Sequence, residues 1–442
     1  MRVAAPATTR IPIDDGTLVD LRKHLQAATD LELWTIPLYL TALASIELDA
    51  SRIALPPRGA LSETSFTNVT RLLVSTALQE MYHLQLGGNI TRGFGEVPRL
   101  EWPVYKGRIP YITEVPAGVT VALGTANDLN TLKLLRAVEA PDSSSDEPLN
   151  WNNPNWNTPD VPAYKFICYD AEGQPCYPSI GTLYSVIVQL ANRFREHFNG
   201  GSPQIANGLF SDWYQKTGVI QLSSLDDAIN IIVEQGEGAI GEQTAPIDSI
   251  DAIPDQRAYE DPFFAENNFS HYERFGLALE NNAEGVTVWP TGTGQTAPAQ
   301  GHLSVIFKTL VENLRKAWSG ARPDLGPMFL FRSALAQVYT AGEIPSFAPV
   351  GSDSPTYDAS VAAVAPPDGA TWDRHVKYFF TYTEIEGMKA NAVGSPKLDD
   401  QASVAANQAT IVAVTKNAQM PPGELNVWTP AQVESFAGWK RQ

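Results

Sequence analysis

The chain has 442 residues, 43% of them hydrophobic, a formal net charge of −18 and a pI near 4.8. That is enough apolar material for one large core or a few ordinary ones. The acidic balance argues against nucleic acid and anionic membranes as partners, since both require a basic face. No N-terminal signal core and no apolar run of about 18 residues is present, so a soluble, cytoplasmic protein is expected. Cys168 and Cys176 are the only cysteines. Without nearby histidines they make no zinc site, and a reduced pair is the default, with a local disulfide as the alternative.

Taken in chain order, the pattern is mostly helical. Residues 17–48 repeat apolar side chains every three to four positions (Leu18, Leu21, Leu25, Ala28, Ile36, Tyr39, Leu43, Ile46), with Thr17 as the N-cap. Pro37 inside this run removes a backbone hydrogen bond, which predicts a kink or break near Leu33. A second helix is predicted over 65–92, ending at Gly93 and Gly95. Between residues 93 and 178 proline, tryptophan, asparagine and glycine interrupt the period, with one short helix at 127–139. A long insert of this kind suits a lid over a site. Helical patterns follow at 180–198, 225–238, 270–279, 303–318 and 327–339. A Pro/Ser/Ala-rich linker, a helix at 372–390 and a polar tail complete the chain. The division expected is a bundle over 17–341, including the 93–178 insert, and a linker with a helical extension over 342–442.

Three polar residues fall where these patterns call for a core. Glu32 lies seven after Leu25 and seven before Tyr39, on their face. In LVSTALQEMYHLQLGGNI, Glu80 and His83 share the stripe of Leu73, Thr76 and Leu84. Groups at i and i+3 project to one side of a helix, close enough to grip one ion. A buried carboxylate must be protonated, paired or metal-bound. Glu from one helix and Glu-x-x-His from another form the inward ligand set of ferritin-like carboxylate sites, whose oxygen and imidazole donors suit iron or manganese. The alternative is a private buried pair with a structural role. In an empty metal site like charges face one another, so a Glu80→Gln apoprotein is expected to gain stability.

The opening helix, LRKHLQAATDLELWTIPLYLTALASI, resembles that of the ferritin-like family named after the iminophenyl-pyruvate dimer synthases of bisindole biosynthesis. The likeness continues in order through STALQEMYHLQLGGNI, VPRLEWPVYKGRIPY, LKLLRAVEAPD, SIGTLYSVI, IIVEQGEG and SHYERF, over about residues 17–280. Two departures stand out. Gln79 replaces the first Glu of a Glu-Glu-Met-x-His-Leu motif, and Thr182 stands where the family often has Glu, removing a ligand or acid/base from that helix. Glu139, Glu234, Glu237 and His271 are the remaining candidates to complete a metal shell. Glu139 shares a face with Leu132 and Leu135, and His271 with Phe275 and Ala278. Tyr39 and Tyr82 flank the ligands as candidate catalytic residues, although hydrogen-bonded core tyrosines are the plainer reading. His24, His197 and His302 are expected on the surface.

The expected fold is mainly α: a ferritin-like helical bundle with long irregular inserts and a C-terminal helical extension. The resemblance implies a metal-dependent oxidoreductase of secondary metabolism holding a divalent first-row metal, iron first, mono- or dinuclear. Its expected partners are dioxygen or peroxide and a small, amino-acid-derived aromatic or imine substrate. A homo-oligomer stays open. A non-catalytic metal-binding or storage bundle and a degenerate partner in a multienzyme complex are the alternatives.

Overall fold

The structure, a computed structural model, describes residues 9–46, 68–113, 115–140, 165–206, 219–236, 286–292, 298–323, 342–347, 396–398 and 400–416. It also describes residues 271, 272, 275, 327, 331, 334, 335, 338, 339, 372, 376, 388, 433 and 436–439. The architecture is mainly helical, as the periodicity predicts. The chain divides into two compact units, residues 1–40, 67–285 and 315–322 in the first, and residues 41–66, 286–314 and 323–442 in the second.

In the first unit α1 (Leu18–Ser45) begins at a reciprocal cap. Thr17 donates its backbone N–H to Asp20 Oδ2 at 2.8 Å, and Asp20 N–H returns to Thr17 Oγ1 at 3.3 Å. The helix passes through Pro37 unbroken. Every side chain from His24 to Tyr39 is buried, so α1 is covered on all sides rather than along one stripe. Its polar residues are therefore satisfied internally. Gln26, Asp30 and Trp34, one turn apart, accept or donate to the loop that follows α2 (Asn68–Gly93). Arg99 N–H donates to Gln26 Oε1 (3.0 Å), Glu101 N–H to Asp30 Oδ1 (2.7 Å) and Tyr111 OH to Asp30 Oδ2 (3.0 Å). Trp34 Nε1–H donates to Val104 O (3.0 Å), and Tyr105 OH to Trp34 O (2.6 Å). Two loop residues, Leu100 (φ 54°) and Tyr111 (φ 62°), occupy the left-handed region that side chains disfavour, and these bonds hold them there.

Helix α2 packs its middle closely. A Cβ on Gly88 would lie 2.0 Å from the indole of Trp318, whose Nε1–H donates to Asn89 Oδ1 at 2.8 Å. Only glycine allows that approach. Helix α3 (Leu129–Val138) starts at Asp128, which accepts from the N–H groups of Asn130 and Thr131, and ends at Glu139 ahead of Pro141. A two-stranded antiparallel sheet joins β1 (Thr9–Pro12) to β2 (Phe166–Tyr169), pairing Thr9 with Tyr169 and Pro12 with Phe166. Helix α4 (Ile180–Arg193) is capped by Ser179, and α5 (Leu225–Gly236) packs on α2 and α4.

The second unit contains most of α6 (Pro298–Trp318), which starts five residues before the expected 303. Phe307, Phe331 and Phe347 form an aromatic cluster with ring centroids 5.3–6.1 Å apart. The expected polar tail carries two short helices, α7 (Gln401–Ala406) and α8 (Gln408–Lys416). Asp400 caps the first by accepting from Ser403 N–H at 2.6 Å. Val404 and Ile411 bury themselves against Val376, Phe436 and Trp439, so sparse apolar residues are enough once a cap is in place. No described helix is long and apolar enough to cross a membrane.

Three expectations about surface histidines meet the structure differently. His197 is exposed. His302 is half-buried, and burial pulls its imidazole down to about 4. His24 is fully buried: its Nδ1 lies 2.7 Å from Asp20 O and its Nε2 2.6 Å from the hydroxyl of Tyr177. The charged neighbours in LRKHLQ suggested a surface, but the β2 segment covers that side of α1. Cys168 and Cys176 are free and buried.

Candidate metal centre

Glu32, Glu80, His83, Glu139 and His271 converge from α1, α2, the end of α3 and the helical segment around residue 271. They form two buried triads, Glu32–Glu80–His83 and Glu80–Glu139–His271, whose ligand atoms within each triad lie within 4.8 Å of one another. Glu80 belongs to both. His83 Nδ1 lies 3.4 Å from Glu80 Oε1 and 3.7 Å from Glu32 Oε2. His271 Nδ1 lies 3.0 Å from Glu80 Oε1 and 3.4 Å from Glu139 Oε2. The two imidazoles are stacked at 5.7 Å.

Local sequence explains each placement. The i, i+3 spacing brings Glu80 and His83 to one face of α2. Pro141 stops α3, leaving Glu139 as its C-cap, buried at the helix end. The segment bearing His271 is held by contacts just after that residue: the guanidinium of Arg136 lies 4.5 Å over the ring of Tyr272, and Phe275 stacks on Tyr39 at 5.5 Å.

The carboxylates are held by hydroxyl groups. Thr35 donates to Glu80 Oε2 at 2.5 Å, Tyr184 to Glu32 Oε1 and Tyr39 to Glu139 Oε1. Sequence reasoning missed Thr35 and Tyr184. Thr35 stands one turn after Glu32, and Tyr184 lies on the apolar stripe of α4, a position that looked like ordinary core. Thr182, two residues earlier, is engaged in the helix cap, its hydroxyl 2.9 Å from Ser179 Oγ. Helix α4 therefore brings a phenol to the centre rather than a carboxylate. Tyr82, between Glu80 and His83 in sequence, is buried, and burial pushes its phenol up to about 12. The side chain of Glu234 lies outside the described residues, as does Glu237.

The electrostatics are those of charges gathered where bulk solvent does not reach. Burial, and then the charge of Glu80, raise the carboxyl groups of Glu32 and Glu139. Burial also opposes ionisation of Glu80, yet His271 and His83 outweigh it and hold Glu80 well below the usual range. Burial alone would lower His271, but Glu139 and Glu80 raise it. Burial, followed by the charge of Glu139, raises Tyr39. Glu80 faces two imidazoles, at 3.4 and 3.0 Å, and on that geometry Glu80→Gln is expected to destabilise the apoprotein rather than stabilise it.

The donor set fits divalent metal. Glu80 Oε1 and His271 Nδ1 are buried and 3.0 Å apart, a spacing that a shared proton or a shared cation satisfies. Carboxylate oxygen with imidazole nitrogen suits iron or manganese over the thiolate-seeking metals.

A ferritin-like family model matches residues 25–278, more than half the chain and all five converging residues. The chain belongs to the ferritin-like family. Among solved structures it is similar to a ferritin-like protein from Caulobacter vibrioides, with 24% identity and a TM-score of 0.52, covering 75% of this chain and 99% of that one. That likeness concerns the fold. No curated protein matches the chain.

Proposed function

We propose that this ferritin-like chain is a metal-dependent oxidoreductase with a dinuclear centre. The observation that carries the reading is Glu80, shared by two buried Glu–His triads. Glu32 and His83 would hold one divalent first-row ion, Glu139 and His271 the other, and Glu80 both, with iron the first choice. Bound there, iron would supply the electrons with which dioxygen or peroxide is reduced while a small organic substrate is oxidised. The chain's own contribution is to orient and to exclude water. Tyr184 and Tyr39 each keep a proton on the outer side of a terminal carboxylate, which fixes those carboxylates and leaves their inner oxygens for the ions. Burial of all five ligands replaces bulk water with fixed dipoles.

The string of motifs resembling the iminophenyl-pyruvate dimer synthases supports a substrate derived from an aromatic amino acid, an imine or its relative, and a place in secondary metabolism. Fold alone would not supply that assignment. The reading takes the protein as cytoplasmic, with no nucleic-acid or membrane partner, in keeping with its net charge of −18.

Anaerobic reconstitution with ferrous iron, followed by elemental analysis and oxygen-uptake measurements with aromatic amino-acid imines, tests the proposal. Two ions per chain and substrate-dependent oxygen uptake are expected. A chain that retains no transition metal is not this enzyme. Two retained ions with no uptake of oxygen or peroxide would make it a metal store.

A further inference from the structure

A histidine that binds metal through one ring nitrogen needs the other committed to a partner, because that partner decides which nitrogen carries the proton. His271 turns Nδ1 toward Glu80 and Glu139, at 3.0 and 3.4 Å, and its Nε2 lies 2.9 Å from Gln79 Oε1. Gln79 and His271 are both fully buried, so water does not compete for this contact. Gln79 also immediately precedes Glu80 on α2, so one stretch of helix carries both the shared carboxylate and the partner of the distant imidazole.

We infer that Gln79 is the positioning residue of His271: its amide oxygen accepts Nε2–H and leaves Nδ1 as the nitrogen that meets the ion. The inference rests on the dinuclear reading above. An amide stays neutral whether or not the ion is present, so the Nε2 side of the ring is the same in both states. The ring then meets the ion through Nδ1 with no rotation. An apolar side chain at this position would leave Nε2–H buried without an acceptor, a loss that the ring can recover only by turning.

Zinc serves as a diamagnetic probe, titrated into protein labelled with 15N-histidine, with His271→Ala to assign its resonances. The wild type is expected to bind two zinc ions per chain and to show a slowly exchanging His271 Nε2–H. Gln79→Leu should weaken one equivalent about 10–100-fold, leave the other unchanged, and lose the protected Nε2–H. Gln79→Glu keeps an acceptor oxygen and should retain both equivalents and the Nε2–H signal. Gln79→Asn withdraws the oxygen by one methylene and gives the same answer as Gln79→Leu should the latter fail to fold. Gln79→Leu or Gln79→Asn that binds both ions as the wild type does, with Nε2–H still protected, overturns the role of Gln79 and leaves the dinuclear centre standing. A folded wild type that takes up fewer than two ions overturns the dinuclear reading, and the assignment of Gln79 falls with it.

Discussion

Glu80 carries more of the centre than either histidine, because it alone belongs to both triads. Glu80→Ala is therefore expected to empty both metal positions, whereas His83→Ala or His271→Ala should empty one, as counted by elemental analysis after reconstitution. Adding His83→Ala to Glu80→Ala should change little further, since residues acting as one unit are not additive. In the apoprotein Glu80→Gln removes the carboxylate that both imidazoles face, and a lower urea midpoint is expected. Equal loss of metal in all the single variants would mean that Glu80 is not shared. Much of this was legible in the sequence. Glu32, Glu80 and His83 are ionisable groups on apolar stripes, and a charge in a core demands an explanation. Gln79 was legible only as a departure from a motif, and Thr35 and Tyr184 not as parts of the site, because neutral polar or aromatic side chains occur in any core, and only the fold shows which group they reach.

At the scale of elements, α1 is both the carrier of Glu32 and the floor of the 96–126 loop, through Gln26, Asp30 and Trp34. Asp30 receives three donors, from Gln26, Glu101 and Tyr111. Asp30→Ala leaves those donors without their acceptor, and each buried donor so stranded costs about 1–3 kcal/mol. The expected outcome is a lower melting temperature together with faster hydrogen exchange at Glu101. Unchanged exchange there would show that Trp34 and Gln26 hold the loop alone. Helical periodicity revealed α1, α2 and α5 nearly to their ends and α4 with its end set five residues too late, since long amphipathic runs with caps and terminal glycines leave a strong pattern. It failed to show that α1 is buried on every side. A stripe of polar residues reads as solvent-facing whenever the loop that satisfies it is irregular and has no period of its own. Trp102, Tyr105 and Tyr111 illustrate the other half of this. Rings in an irregular insert suit either a ligand or loop packing, and Tyr105 and Tyr111 spend their hydroxyl groups on Trp34 and Asp30. The short helices α7 and α8 were missed because a six-residue and a nine-residue segment hold too few turns for periodicity to register.

For the whole molecule, two buried groups outside the metal centre set opposing responses to acid. Burial lowers His24 from 6.5 to about 4, so its neutral form is the folded one. Its stabilising contribution is present above about pH 6.5 and is lost as pH falls toward 4, where the unfolded chain takes up a proton that the folded chain refuses. Burial raises Asp30 from 3.8 to about 6, despite the bonds from Glu101, Gln26 and Tyr111. Its contribution has the opposite sign, present below about pH 4 and lost as pH rises through 6. Each displacement is worth about 3 kcal/mol at roughly 1.4 kcal/mol per pKa unit. Over the shared window these two slopes largely cancel one another, while His302, lowered in the same direction as His24, adds its own to the wild type. Single variants should uncover them. The stability of the wild type minus that of His24→Gln should grow by about 3 kcal/mol from pH 4 to 6.5. The difference from Asp30→Asn should shrink by a similar amount from pH 4 to 6. Urea unfolding of the metal-free proteins at a series of pH values measures both. Differences that stay flat with pH would mean that neither group resists its charge in the fold, whereas the cancellation requires slopes of opposite sign.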